Sequence, residues 1–380
     1  MGGINLFTLI RIGDRVAMKA VLLAGGYATR LRPLTLTRPK PLLPILGRPL
    51  ILWLIDNLKR AGVRELVISV KYMSNQIVDL LGDGSELDVS IEYVEENHPL
   101  GDAGPLRLID KKVGLSETFL VLYGDVFSDV DVRAVIDFHK SKNALMTLTA
   151  VRVDSPERYG ILSINEEGAV INFVEKPTYR PQSNLANAGV YVFEPEVLTY
   201  VYEDKKQKIS VDLMPKVLRT GRVYAYVHDG IWFDIGIPED YLKANIVALN
   251  ALYPSGFVAN NSEVRGEVVG PVYIGSEVVV GKGSIVGPNS VLLDQVSVGD
   301  FSMVKGSVVM KGSRIGSSTY IKNSVVGESC SIGNWVRIES GTIIGDQVSI
   351  TDEVFVNKRN YILPYKEISE SIWNEGGVVL

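Results

Sequence analysis

Cysteine is almost missing from the 380-residue chain, Cys330 being the only one. That excludes an internal disulfide and a multi-thiolate metal site, and a reducing, cytoplasmic compartment is the expectation. Histidine is nearly as scarce, with only His98, His139 and His228, which disfavours a histidine-ligated zinc. Neither sign of charge dominates: 39 basic residues face 44 acidic ones. The chain therefore lacks the basic field that sequence-independent nucleic-acid binding needs, and a phosphate ligand would have to be held locally. No apolar run approaches the ~20 residues that cross a bilayer, so no membrane partner is expected. What is abundant is apolar character, 46% of residues, with charge spread through the chain, so disorder is excluded, and the length implies two domains or one large α/β domain plus an extension.

Residues 1–17 hold a short apolar stretch, Ile4–Ile10, interrupted by Arg11 and Asp14, without the basic start or small-residue cleavage site of a signal peptide. They read as an N-terminal extension, a start-codon artefact, with the functional chain expected to begin near Met18. Across residues 18–252, apolar runs (Ala20–Leu23, Glu65–Val70, Val89–Val94, Phe119–Leu122) alternate with amphipathic segments (Leu50–Ala61, Met73–Leu81, Val130–His139). That order predicts an α/β domain, a Rossmann-like, doubly wound, mostly parallel sheet with right-handed crossovers. Its ligands would sit at the carboxyl ends of the strands, near the switch point.

Residues 253–380 have another texture. Aliphatic residues recur at every sixth position: Val268, Ile274, Val280, Val286, Leu292, Val298, Val304 and Met310, then, past an irregular bridge through Ile315 and Ile321, Val326, Ile332, Ile338, Ile344, Ile350 and Val356. A period of six is neither 2 nor 3.6 and predicts a parallel β-helix of hexapeptide repeats, three to a triangular coil, aliphatic residue inward. Ile237–Tyr253 reads as a linker helix with Glu239 and Asp240 in its first turn. Coil ends need covering, so a homo-oligomer assembled through the β-helix is expected.

The chemistry gathers in L-L-A-G-G-Y-A-T-R-L-R-P-L-T, residues 22–35, and P-K-P-L-L-P-I-L-G-R-P-L, residues 39–50. Ala24-Gly25-Gly26 after a strand offers unobstructed N–H groups to anionic oxygens, and Thr29, Arg30 and Lys40 add a donor and two cations. It matches neither the dinucleotide G-x-G-x-x-G pattern nor a Walker loop, and a glycine turn alone is an ordinary tight turn. The whole run from Gly25 to Pro49, however, resembles the sugar-nucleotide pyrophosphorylases, nucleotidyltransferases that act on sugar 1-phosphates. P-L-G-D-A-G-P-L (99–106), L-Y-G-D-V (122–126), E-R-Y-G (157–160), F-V-E-K-P (173–177), N-A-G-V-Y (187–191) and W-F-D-I-G (232–236) agree with it. The C-terminal V-V-G-E-S-C-S-I-G-N-W-V-R-I-E, with L-P-Y-K-E-I and the closing W-N-E-G-G-V-V-L, looks like the left-handed β-helix of the mannose-1-phosphate guanylyltransferases.

The resemblance implies that GTP and mannose 1-phosphate yield GDP-mannose and pyrophosphate with Mg²⁺ as cofactor. Asp125 and Asp234 match the family's metal-binding aspartates, and two carboxylates completed by phosphate oxygens and water suit octahedral Mg²⁺. Arg30 and Lys40 match the pair that grips the triphosphate; Lys176 matches the lysine on the sugar phosphate. Glu175, Gly160 and Asn187 match positions around the sugar, and Ala24, Gly25, Gly26, Thr29, Leu100 and Gly101 border the nucleotide. Tyr159 is equally a packing residue or a contact, while Arg32, Arg38 and Arg48 read as solvated or structural.

Three positions depart from the family pattern. Ala28 stands where many members have glycine, so it must keep φ negative or tolerate strain. Asp102 stands where guanylyltransferases commonly have threonine, and Tyr123 where asparagine is frequent. Glu96, five residues before Gly101, occupies a position where thymine- and uracil-specific members commonly place glutamine. A carboxylate can accept the adjacent N1–H and N2 amino donors of guanine, whereas uracil and thymine suit an amide. Glu96 is therefore the expected base selector, with a solvated loop charge, or neighbouring Glu95 in the role, as the alternatives. The rival functions are the same transfer with UTP or dTTP and glucose 1-phosphate, a non-catalytic regulatory subunit, and an acetyltransferase β-helix; the last usually needs a histidine base, and no histidine follows His228.

Overall fold

The computed structural model describes residues 16–379; the expectations for residues 1–15 lie outside them. The chain divides into two compact units. One joins the strand before Ala28 to Leu50–Asp234, and the other joins Ala28–Pro49 to Ile235–Leu380.

In the first unit, apolar runs flanked by turns form β1 (Val16–Leu23), β2 (Val63–Val70), β3 (Ser90–Glu95) and β4 (Phe119–Tyr123), all parallel. β1 begins two residues ahead of Met18, and the Val16 N–H donates to Gly62 O at 2.9 Å. Helices α1 (Leu50–Arg60), α2 (Ser74–Leu81) and α3 (Gly104–Val113) supply the crossovers. α1 buries Leu50, Ile51, Leu54, Ile55 and Leu58, one face at one-turn spacing, and places Lys59 and Arg60 at its negative C-terminal end. The chain runs outward from β1 through β2 to β3, then returns to β4 on the other side of β1. The switch point thus lies between the ends of β1 and β4, at Ala24 and Gly124.

Beyond β4 the sheet turns antiparallel. After a short strand β5 (Val126–Ser128) come α4 (Val132–Ser141), β6 (Met146–Arg152), β7 (Gly160–Ile164), β8 (Val170–Glu175) and β9 (Leu185–Phe193); β9 runs antiparallel to β4, β6 and β7. β7 and β8 form a hairpin whose turn is made by Asn165, accepting from the N–H groups of Glu167 and Ala169, with Gly168 at φ 84°. β10 (Val223–His228) pairs parallel with β6, and β11 (Trp232–Asp234) pairs antiparallel with β5. Val21, Val67, Val121, Leu148, Tyr191 and Phe193 share the buried core.

The second unit contains three parallel sheets of 8, 7 and 6 short strands, stacked as a β-helix. Ile274, Val280, Val286, Leu292, Val298 and Val304 fill its interior, as do Val326, Ile332, Ile338, Ile344, Ile350 and Val356. Two expectations fail. Val268 is 37% exposed, because its strand ends its sheet. Met310 is buried, yet the stack position belongs to Val309, paired with Leu292 and Val326. The hexad shrinks to five residues between Val304 and Val309, and again between Ile321 and Val326. Gly306 (φ 60°) and Asn323 (φ 43°) make those tight corners, which accounts for the irregular bridge.

The glycines that follow the aliphatic positions have a physical cause. Asp294, Asp300, Asp346 and Asp352 each accept, at 2.7–2.8 Å, the N–H of a residue one coil back: Ser276, Lys282, Glu328 and Asn334. A Cβ on the preceding Gly275, Gly281, Gly327 or Gly333 would meet that carboxylate at 2.5–2.7 Å. The linker helix spans Pro238–Leu252. From it, buried Tyr241 donates to Pro44 O at 2.7 Å, and Asn245 Oδ1 accepts from Leu46 N at 3.0 Å. Among the described residues no helix is long and apolar enough to cross a membrane.

Candidate active site

A cleft opens at the switch point. Leu23, Gly25, Gly26 and Tyr27 after β1 face Tyr123 and Asp125 after β4; Glu96, Pro99, Gly101 and Asp102 close one side, with Lys206 and Lys208 at the rim. The strand ends are knit by Gly124 N to Leu23 O at 3.0 Å and Ala24 N to Ser69 O at 2.9 Å. A side chain at Gly124 would strike Leu23 O at 2.9 Å, so only glycine brings Asp125 this close to β1.

Glu96 is 7% exposed, which removes the solvated-loop alternative; Glu95 beside it is the exposed one. Its Oε1 accepts from Ser69 Oγ at 2.8 Å and its Oε2 from Leu100 N at 3.2 Å. A Cβ on Gly25 would lie 2.7 Å from Oε1, so the carboxylate rests directly on the glycine turn. An ionised carboxylate has about four acceptor sites. Among the described residues two of these are taken, by Ser69 and Leu100.

The departures Asp102 and Tyr123 meet each other. Asp102 Oδ2 accepts from Tyr123 Oη at 2.9 Å and Oδ1 from Ile209 N at 2.5 Å. Tyr191 Oη donates to Tyr123 Oη at 3.2 Å, and Asn187 Nδ2 donates to Tyr191 Oη at 2.6 Å. Burial, opposed by the Ile209 and Tyr123 donors, holds the Asp102 pKa above its ordinary value. Burial likewise pushes Tyr123 well above the usual phenol range, so its hydroxyl stays a donor.

Asp125 lies in the turn between β4 and β5 and Asp234 at the end of β11, where it is the register partner of Val126, the residue after Asp125. On the far side of the sheet, Gly160 pairs with Glu175, and a Cβ on Gly160 would lie 2.8 Å from Glu175 Oε2. Lys176 is exposed and left-handed at φ 45°, with its N–H on Tyr159 O at 3.0 Å. Asn187 lies one residue past Ala186, the partner of Ile161, so β7, β9 and the end of β8 bring Gly160, Glu175, Lys176 and Asn187 to one end of the hairpin. Tyr159 is half-buried, its ring edge-on to Trp232 at 5.3 Å between centroids.

Thr29, Arg30 and Lys40 belong to the other unit. Thr29 and Arg30 are exposed on a single turn, Thr29–Leu31, and Lys40 is buried at the start of the turn Lys40–Leu42. Ala28 adopts the strained alternative, φ 46° and ψ 42°. Of the two readings of Arg38 the structural one holds, since its guanidinium bonds the Glu328 and Asp346 carboxylates. Lys206 and Lys208 were missed by sequence reasoning; the only signal was the basic run K-K-Q-K at 205–208.

Residues 19–250 match the family model described as nucleotidyl transferase, and residues 268–378 match the GMPPB C-terminal domain. The chain belongs to the nucleotidyl transferase family. A Sulfolobus acidocaldarius relative, provisionally named a mannose-1-phosphate guanyltransferase, is 40% identical over 96% of this chain and 100% of its own. Mannose-1-phosphate guanylyltransferase 1 of Arabidopsis thaliana is 36% identical over 93% of this chain and 98% of its own. Among solved structures, a Bacillus anthracis protein provisionally described as a glucose-1-phosphate thymidylyltransferase, in complex with sucrose, is 30% identical with a TM-score of 0.57. It covers 61% of this chain and 95% of its own. The family's enzymes are transferases of nucleotidyl groups, which agrees with a cleft at a switch point beside a glycine turn.

Proposed function

We propose that this nucleotidyltransferase converts GTP and mannose 1-phosphate to GDP-mannose and pyrophosphate. A phosphate oxygen of the sugar phosphate attacks the α-phosphorus, the bond from that phosphorus to the β-phosphate bridging oxygen breaks, and pyrophosphate leaves with the electron pair. The observation that carries the base assignment is Glu96, buried against Gly25 with two acceptor sites unused among the described residues. Guanine fills both with N1–H and N2–H; uracil and thymine would turn a carbonyl oxygen toward the carboxylate. Relatives that cover nearly the whole chain, β-helix included, carry guanylyltransferase names, whereas the thymidylyltransferase neighbour covers 61% of it.

The roles follow from charge and position. Gly25 and Gly26 present backbone N–H groups to the phosphates, and Ala24, Leu100 and Gly101 wall the nucleotide. Arg30 and Lys40, with Thr29 beside them, neutralise the triphosphate as charge moves to the departing pyrophosphate. Lys176 holds the sugar phosphate, while Glu175, Gly160 and Asn187 fit the sugar. Asp125, in the turn before β5, and Asp234, on the strand paired with β5, offer hard carboxylate oxygens, the donor set of Mg²⁺. Among the described residues no group of three or more acidic, histidine or cysteine side chains is placed to hold a metal ion by itself, so substrate phosphates and water would complete the shell. Bound there, the ion would supply charge neutralisation to both phosphates. A homo-oligomer through the β-helix is part of this reading, supported by Phe301 and Trp335, exposed on that module. Pyrophosphate release that requires both GTP and mannose 1-phosphate tests the assignment.

A further inference from the structure

Four coil-corner aspartates do the same local job in the β-helix, but one does more. Asp294, Asp300 and Asp352 are exposed; Asp346 is 5% exposed. Its Oδ1 takes the coil-corner N–H of Glu328 at 2.8 Å, and its Oδ2 accepts from Thr37 Oγ1 at 2.6 Å and from Arg38 Nη2. Arg38 Nη1 meets Glu328 Oε1, so one guanidinium bridges two carboxylates of the repeat module. A single residue, Pro39, with φ fixed at −70°, separates Arg38 from Lys40. Lys40 then opens a turn closed by Leu43 N to Lys40 O at 3.0 Å. At the other end of the segment, Tyr241 and Asn245 hold Pro44 and Leu46.

We propose that Asp346, with Glu328 beside it, is a positioning residue for nucleotidyl transfer, fixing through Arg38 the segment that presents Lys40 and Arg30. This rests on the reading that those two cations grip the triphosphate. The β-helix then acts on the chemistry through an internal anchor of the loop: Thr37 and Arg38 are tied to Asp346 and Glu328 of the β-helix, and Pro44 and Leu46 to Tyr241 and Asn245 of the linker helix, in addition to the loop's own short turns.

The test compares Asp346→Asn, which keeps an oxygen for the Glu328 N–H, with Asp352→Asn, the same corner substitution without a loop contact. Misplacing a phosphate-binding group by about 1 Å can cost on the order of 100-fold. Asp346→Asn and Arg38→Ala should each lower kcat/KM for the triphosphate by roughly 10- to 100-fold, the double variant adding little, with KM for the sugar phosphate unchanged. Arg38→Lys should recover part of the loss, and Asp352→Asn should match wild type. Hydrogen exchange over residues 28–49 should rise in Asp346→Asn and not in Asp352→Asn. That readout holds even if the wild type transfers no nucleotide, a result that would defeat the proposed function instead. Should Asp346→Asn melt early, Glu328→Gln at the more exposed carboxylate must show the same kinetic split. Wild-type exchange and kinetics in Asp346→Asn, or equal losses in Asp346→Asn and Asp352→Asn, overturn the proposal.

Discussion

Tyr123 donates its phenolic hydrogen to Asp102 Oδ2 across 2.9 Å, so two separate departures from the family pattern form one bonded pair. A carboxyl whose folded pKa is raised binds its proton more tightly in the folded state. Its penalty is absent at low pH and is imposed as pH rises through the folded pKa. Asp102→Asn keeps an oxygen for the Ile209 N–H and should be more stable than wild type at neutral pH. The gain should vanish toward about pH 4, the ordinary carboxylate value. Melting temperature against pH checks this; a gain independent of pH contradicts it. Tyr123→Phe should cost roughly 1 to 3 kcal/mol at neutral pH by leaving a buried acceptor unpaired.

Glu96→Gln replaces a pure acceptor by a group that also donates. The ratio of kcat/KM for GTP over UTP should fall about 10- to 100-fold, the equivalent of 1 to 3 kcal/mol at one buried polar group. An unchanged ratio removes Glu96 from base selection.

Asp125→Asn and Asp234→Asn should each abolish most turnover with the fold retained, judged by unchanged melting temperature. Lys176→Ala should chiefly raise KM for the sugar phosphate, and Arg30→Ala should chiefly lower kcat. Near-normal kinetics for Asp234→Asn would take it out of the metal site.

At the glycine turn, substitutions of opposite sense should act oppositely. Gly25→Ala places a Cβ 2.7 Å from Glu96 Oε1 and should impair triphosphate binding, measured as a raised KM. Ala28→Gly relieves a left-handed φ of 46°. Left-handed backbone costs an L residue about 1–2 kcal/mol, so part of that should appear as added stability in chemical denaturation.

The parallel half of the sheet and the β-helix were legible because each has its own period: short strands alternating with amphipathic helices, then aliphatic residues every sixth position. The antiparallel half was not, since Met146–Arg152 and Leu185–Phe193 are buried on both faces and show no alternation. Val309 replacing Met310 in the stack was hidden for another reason: a corner can lose one residue when Gly306 or Asn323 takes a left-handed φ, and either choice of aliphatic residue fits the pattern. Glu96 was legible as a carboxylate at a telling position, but its seat on Gly25 needed coordinates. Arg38 illustrates the limit. Its partners lie about 300 positions away in the chain, and the spacing of charges in sequence carries no trace of them.

The most direct test is pyrophosphate release measured with GTP, ATP, UTP and dTTP, each against mannose 1-phosphate and glucose 1-phosphate. The account predicts the highest kcat/KM for GTP with mannose 1-phosphate, abolished by removing divalent cations. A preference for UTP or dTTP with glucose 1-phosphate, or no release with any pair, would contradict it.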